Sequence, residues 1–293
     1  MQKSPGEGYL AGSSPDRFPI VDICVGTLEL ISSERYLLLK LTWLSALLLS
    51  VLGVIDHIRL QNMSSSEVMA LLGPYRIVDD QWELAKFLFI PFLSAVAVTN
   101  IHRFVLHHER PDSIVNFDLR GDTFRVFLLI LAGSVAMWGA EFSMIASSRF
   151  GALDSEIHTL IYFIATFAVV LLVGYAAVRL SVVLPETVAS GSIRVHEALR
   201  LTEKSFWRLF ALAAIVFVVV VGVVRLIGLI VQIFQMESSE GDLIGQAALL
   251  LGGFGYYTVA IIVDVCALSL AYIWFDQHRR NEPVLQQSET SES

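Results

Sequence analysis

Apolar residues in this chain fall into six long blocks, and short polar stretches separate them. The blocks are Tyr36–Ile55, Trp82–Ile101, Phe124–Ser147, Leu160–Leu184, Phe206–Phe234 and Leu243–Phe275. None alternates with period two, so they do not have the pattern of barrel strands. A hydrocarbon core about 30 Å thick takes roughly 20 helical residues to cross. Each block meets that length, and in lipid an unpaired backbone group costs several kcal/mol, so each is expected to be a transmembrane helix. The last two exceed the minimum and are expected to tilt or to project into water. Pro91 should kink the second helix. Gly252, Gly253 and Gly255 should allow close packing, or a break, in the sixth.

The fold class expected is therefore an all-α polytopic membrane protein of six spans. Residues 18–280 form the membrane domain, with disordered polar tails at 1–17 and 281–293. Composition supports the lipid setting: 55% of residues are hydrophobic and only 16% charged, against about a quarter charged in soluble domains. The tail MQKSPGEGYLAGSSPDRFP lacks an apolar core, so no cleaved signal peptide is expected. A net charge of -8 argues against a nucleic-acid partner. Two distant cysteines, Cys24 and Cys266, support neither a disulfide framework nor a structural zinc site.

Basic residues set the expected orientation. Lys3, Arg17, Arg35, Arg103, Arg110, Arg120, Arg125, Arg179, Arg194, Arg200, Lys204, Arg208, Arg279 and Arg280 lie on one side, and Arg59, Arg76 and Arg149 on the other. Fourteen against three places both termini in the cytoplasm by the positive-inside rule.

The polar stretches on that side repeat. HRFVLHHE (102–109) closes the second span and VRLSVVLPE (178–186) the fourth, each with an arginine at the exit and a glutamate shortly after. LRGDTFRVFLLI (119–130) and LRLTEKSFWRLFAL (199–212) then lead into the next spans, with a fainter copy at TLELISSERYLLLKL (27–41). Each suits an interfacial amphipathic elbow helix. In the third copy, Val195, Leu199, Thr202 and Phe206 make the stripe and Ser192 is the expected N-cap. Three elbow-plus-hairpin units follow. Arg103, Glu109, Arg120, Arg179, Glu186 and Arg200 become candidates for lipid-headgroup contact.

These elbows and a last helix closing in AYIWFDQHRR resemble the membrane domain fused to some bacterial glycerophosphodiester phosphodiesterases and its stand-alone inner-membrane relatives. The resemblance spans about residues 18–280. It implies a bacterial inner-membrane setting and an architecture; the phosphodiesterase activity does not carry over, because the chain has no room for that soluble barrel.

Candidate chemistry is sparse. His102, His107, His108 and Glu109 hold metal-ligand atoms, yet neighbouring histidines diverge by about 100° on a helix, and solvated interfacial histidines are the expected reading. Asp118 and Asp122 stand one turn apart beside Gly121, with no further support for a cation site. No GxSxG, Walker or HExxH motif occurs, so no cofactor and no metal are expected, and an enzyme acting on headgroups through Glu109 and Glu186 is the least favoured reading. GFGYYT (253–258) lies inside a span and suits helix packing; Asn62-Met-Ser64 forms a sequon expected to be accidental.

Glu141, Arg225 and Asp264 are intramembrane charges, which usually face protein or water. At 1.5 Å per residue they lie ~24, ~27 and ~15 Å from the cytoplasmic ends. Glu141 and Arg225 are thus expected to pair, with Arg179 the nearest partner for Asp264. Two functions remain in contention: a non-enzymatic scaffold, lipid-interacting or assembly protein, with membrane lipids, protein partners or a second copy as partners, and a small-solute or ion transporter using Asp264, Glu141 and Arg225.

Overall fold

The computed structural model describes residues 18–63, 81–110, 119–150, 156–237 and 243–291. Among these residues every regular element is helical. The order is α1 (Ile20–Ser33), α2 (Arg35–Gln61), α3 (Gln81–His107), α4 (Gly121–Phe150), α5 (Glu156–Ser181), α6 (Val183–Ser190), α7 (Val195–Thr202), a 3-10 turn (Glu203–Ser205), α8 (Phe206–Glu237) and α9 (Leu243–Ser291). Six of them, α2, α3, α4, α5, α8 and α9, are long and apolar enough to cross a membrane.

The six spans form two tiers. The apolar stretches of α9, α3 and α2 are 61%, 50% and 39% buried, whereas those of α4, α5 and α8 are 17%, 12% and 0% buried. The inner three pack on one another; α4 lies on α3, α8 on α9, and α5 touches both α4 and α8. Small residues make the inner approach possible. A Cβ on Gly253 would stand 2.6 Å from Ser50 Oγ, and one on Gly252 would stand 2.6 Å from Val231 Cγ2. Ser50 Oγ also donates to the carbonyl of Leu250 at 2.5 Å. The glycines therefore give close packing without a break, and α9 continues through them. Close small-residue contacts of this kind drive helix association where lipid removes the hydrophobic difference.

Helix α3 is unbroken across Pro91. Helix α9 has 49 residues, about 70 Å at 1.5 Å each, so it extends well past a single bilayer core. Its backbone stays helical through the polar segment from 281 to Ser291, where a disordered tail was expected: once a helix exists, each added residue fixes one more hydrogen bond at little cost. The expected N-terminal tail (1–17) lies outside the described residues.

Helices α1, α6 and α7, the starts of α2, α4 and α8, and the exits of α3 and α5 share one end of the bundle, called the elbow end below. The first elbow starts earlier than the sequence pattern suggests, at Ile20, because Ile23, Thr27 and Leu30 recur at helical spacing and are buried, with α1 lying against α9, α8 and α2. Phe18 anchors it on Trp274 and Phe275, with ring centroids 5.2 Å apart in both pairs.

The α-helix of the fourth span is interrupted after Ser181, three residues before the expected end at Leu184. Pro185 has no N–H to give the carbonyl of Ser181 and its ring crowds it, so the chain turns into α6. Gly191, at φ +66°, ends α6 in the left-handed conformation that glycine adopts without penalty. The third elbow is thus two short helices, and it departs from the expected stripe. Arg194, not Ser192, holds the N-cap position of α7, and the buried positions are Ala198 and Thr202, while Val195 is 37% exposed. The turn at Gly191 lets the Ser190 hydroxyl bond to the Ser192 carbonyl at 3.0 Å, which holds Ser192 outside the helix. In the second elbow, residues 111–118 between the two motifs lie outside the described residues.

Candidate functional site

The two arginines at the helix exits are the organising groups of the elbow end. Arg103, near the end of α3 and 4% exposed, donates from Nε to Asp122 Oδ2 at 2.8 Å and from Nη2 to Asp122 Oδ1. Such a forked pair fixes orientation as well as charge. Arg179, near the end of α5, donates from Nε to Thr202 Oγ1 at 3.3 Å, from Nη1 to Tyr175 Oη at 3.0 Å and from Nη2 to the Leu199 carbonyl.

These contacts occupy matching positions. Asp122 stands third after Leu119 in Leu-Arg-Gly-Asp, and Thr202 third after Leu199 in Leu-Arg-Leu-Thr. In both elbows the exit arginine of one span reaches by its Nε to that residue ahead of the next span. The repeat in the sequence is therefore a repeat of contacts, with an ionic tie in one copy and neutral acceptors in the other.

Of the six headgroup candidates, Arg103 and Glu186 are turned inward, and Arg179 is spent on holding α7. Glu186 is 1% exposed and accepts a hydrogen bond from Tyr272 Oη at 2.7 Å. A charge so deeply enclosed is not available to a lipid. Glu109 and Arg120 remain on the surface and pair with each other at 3.0 Å. Arg200 is exposed, with no hydrogen-bond or ion-pair partner among the described residues.

The histidines diverge, and one is not solvated. His102 is fully buried, with Nδ1 2.8 Å from Ser269 Oγ. His107 Nε2 lies 3.4 Å from the Val188 carbonyl, tying α3 to α6. His108 ends α3 at φ +60°, its N–H bonded to the Phe104 carbonyl at 3.0 Å. No group of three metal-ligating side chains occurs among the described residues, and Asp118 lies outside them. A left-handed non-glycine residue costs about 1 kcal/mol. His108→Gly is therefore expected to raise the unfolding free energy by about that amount, read from detergent-titrated unfolding of the purified chain; an unchanged midpoint would show that the position is unstrained.

Of the two pairs expected among the intramembrane charges, Arg179 with Asp264 does not form, and Glu141 with Arg225 involves a side chain outside the described residues. Arg179 is committed to the elbow and does not reach Asp264. Asp264 and Arg225 are both exposed, and neither has a hydrogen-bond or ion-pair partner among the described residues. Glu141 sits on the helical backbone of α4, with its side chain outside the described set.

A second polar cluster lies at the far end, on residues that the mid-span search passed over. Lys86 Nζ lies 2.6 Å from Asp56 Oδ1 and 2.7 Å from Glu83 Oε1. Trp82 Nε1 donates to the same Asp56 Oδ1 at 3.1 Å. Lys86 inside an apolar run was the signal, three residues after Glu83 on the same helix face. Asp56 could be joined to them only by the hairpin geometry of α2 and α3.

With both ends described, the chain was compared with protein-family models, curated proteins and solved structures, and none of the three comparisons gave a match.

Proposed function

We propose that this protein is a non-enzymatic, lipid-engaging membrane protein of the bacterial inner membrane, with both termini in the cytoplasm and the elbow end facing inward. Fourteen basic residues against three support that orientation, as does the resemblance of the elbows to the phosphodiesterase-fused membrane domain. The observation that carries the lipid reading is the corner between α7 and α8. Trp207 is 76% and Phe210 45% exposed there, and Arg200 and Arg208 beside them are exposed without a partner among the described residues. Indole rings with guanidinium groups at the start of a span are the composition of a headgroup-level anchor.

Each arginine near an anionic leaflet contributes about 1 kcal/mol. Arg200→Gln with Arg208→Gln should therefore weaken retention of phosphatidylglycerol about ten- to thirty-fold, read by native mass spectrometry. Retention of phosphatidylethanolamine should not change. Equal phosphatidylglycerol retention by the variant and the parent would overturn the reading.

A second reading, transport, keeps one supporting observation: Asp264 is exposed on a span and has no partner among the described residues. It ranks behind because Arg179, the partner expected for Asp264, is held in the elbow, and Arg225 lies about 12 Å away along the membrane normal by helical rise.

A further inference from the structure

The far-end cluster borders a half-open cavity of about 240 Å³ between α2, α3 and α9. Two carboxylates and one ammonium line it, and Lys86 bridges the carboxylates of Asp56 and Glu83. The described bonds to Asp56 all end on Oδ1, which receives both Lys86 and Trp82. Among the described residues Oδ2 receives none, and with the Asp56 side chain 30% exposed it stays open to a cation or donor that enters the cavity.

The rest of the lining is hydrocarbon and aromatic: Leu49, Leu52, Phe87, Ile90 and the ring of Tyr257. Gly53 also lines the cavity, and a Cβ built there meets nothing within 4 Å. In α9 the glycines are crowded by neighbours; at Gly53 the missing side chain leaves empty space one turn from Asp56. An inorganic cation would use the carboxylate but not the apolar wall. A cation that carries its own hydrocarbon uses both, and aromatic faces attract ammonium groups in particular.

We propose that this cavity binds a small organic ammonium ion, its charge against Asp56 and its hydrocarbon against Leu49, Leu52, Phe87 and Tyr257. Lys86 acts as the resident cation that the ligand partly displaces. The site is separate from the elbow end, and neither proposal depends on the other.

Isothermal titration of the full chain in detergent micelles with benzyltrimethylammonium chloride tests it. Saturable binding at one site per chain is expected. Asp56→Asn should weaken binding at least tenfold. Lys86→Gln should tighten it several-fold, because the competing internal cation is gone. Gly53→Leu should abolish it by filling the cavity, and because a Cβ at that position meets nothing within 4 Å the melting temperature should fall little. Absence of saturable binding by the parent chain, or unchanged affinity in Gly53→Leu, would overturn the proposal.

Titration with ethylammonium in nanodiscs of phosphatidylglycerol, with and without phosphatidylethanolamine, separates the two sources of such an ion. Weaker apparent affinity when the lipid amine is present assigns the cavity to a headgroup, and equal affinity assigns it to a soluble amine.

Discussion

Replacing Arg103 with methionine should destabilise the protein by about 3–5 kcal/mol, the usual cost of stranding one member of an enclosed ion pair. Its side chain is 5% exposed and that of Asp122 is 15% exposed, so neither can turn to water if the other is removed. Asp122→Leu alone should cost a similar amount. The double variant Arg103→Met/Asp122→Leu should recover most of the loss, because two apolar groups of similar bulk leave no charge unanswered. A double-mutant cycle on denaturant-titrated unfolding reads the coupling directly. Independent, additive losses would show that the tie between α3 and α4 contributes little. The exposed Glu109–Arg120 pair is the internal control. Its side chains are 47% and 61% exposed, and screening by water limits such a pair to about 0–1 kcal/mol.

The second large effect is expected at Gly253. A Cβ there would stand 2.6 Å from Ser50 Oγ, 3.3 Å from Ser50 Cβ and 3.5 Å from Ser50 Cα. The first is a clash with the hydroxyl that bonds Leu250 and the second is tight, so the Ser50 side chain must give way and the Ser50–Leu250 hydrogen bond opens with it, while the γ carbons of valine add to the crowding. Overpacking costs roughly 1–3 kcal/mol and the lost bond about 1 more, so Gly253→Val should cost about 3 kcal/mol. Gly255→Ala should be nearly silent by comparison, since its Cβ would meet only Ile227 Cδ1 at 3.5 Å. Equal effects at the two glycines, measured as shifts in unfolding midpoint, would show that the α2–α9 contact is not the tight one.

The spans were legible because lipid imposes a rule on consecutive residues: twenty apolar positions in a row can be counted. The glycine contacts in α9 were legible for a related reason, since close approach needs small residues on one helix face. Pairing was not legible. Arg103 was read as a headgroup contact because its position at a helix exit is also where snorkelling arginines sit; its inward turn depends on where Gly121 starts α4. Arg179 was assigned to Asp264 from depth along the membrane normal, and depth says nothing of which helices touch. Asp56, Glu83 and Lys86 were passed over because they lie near span ends, where charges are ordinary. Their convergence exists only once α2 and α3 lie side by side.

The division into inner and outer tiers bears on biogenesis. Helix α9 leaves the ribosome after the other five described spans, yet it contacts α1, α2, α3, α6 and α8. Spans released earlier enter the bilayer without their central packing partner, and the contact between Ser50 and Leu250 must wait for 200 residues of synthesis. Chains cut short before α9 therefore keep the hydrophobicity to insert but lack the keystone that would condense them.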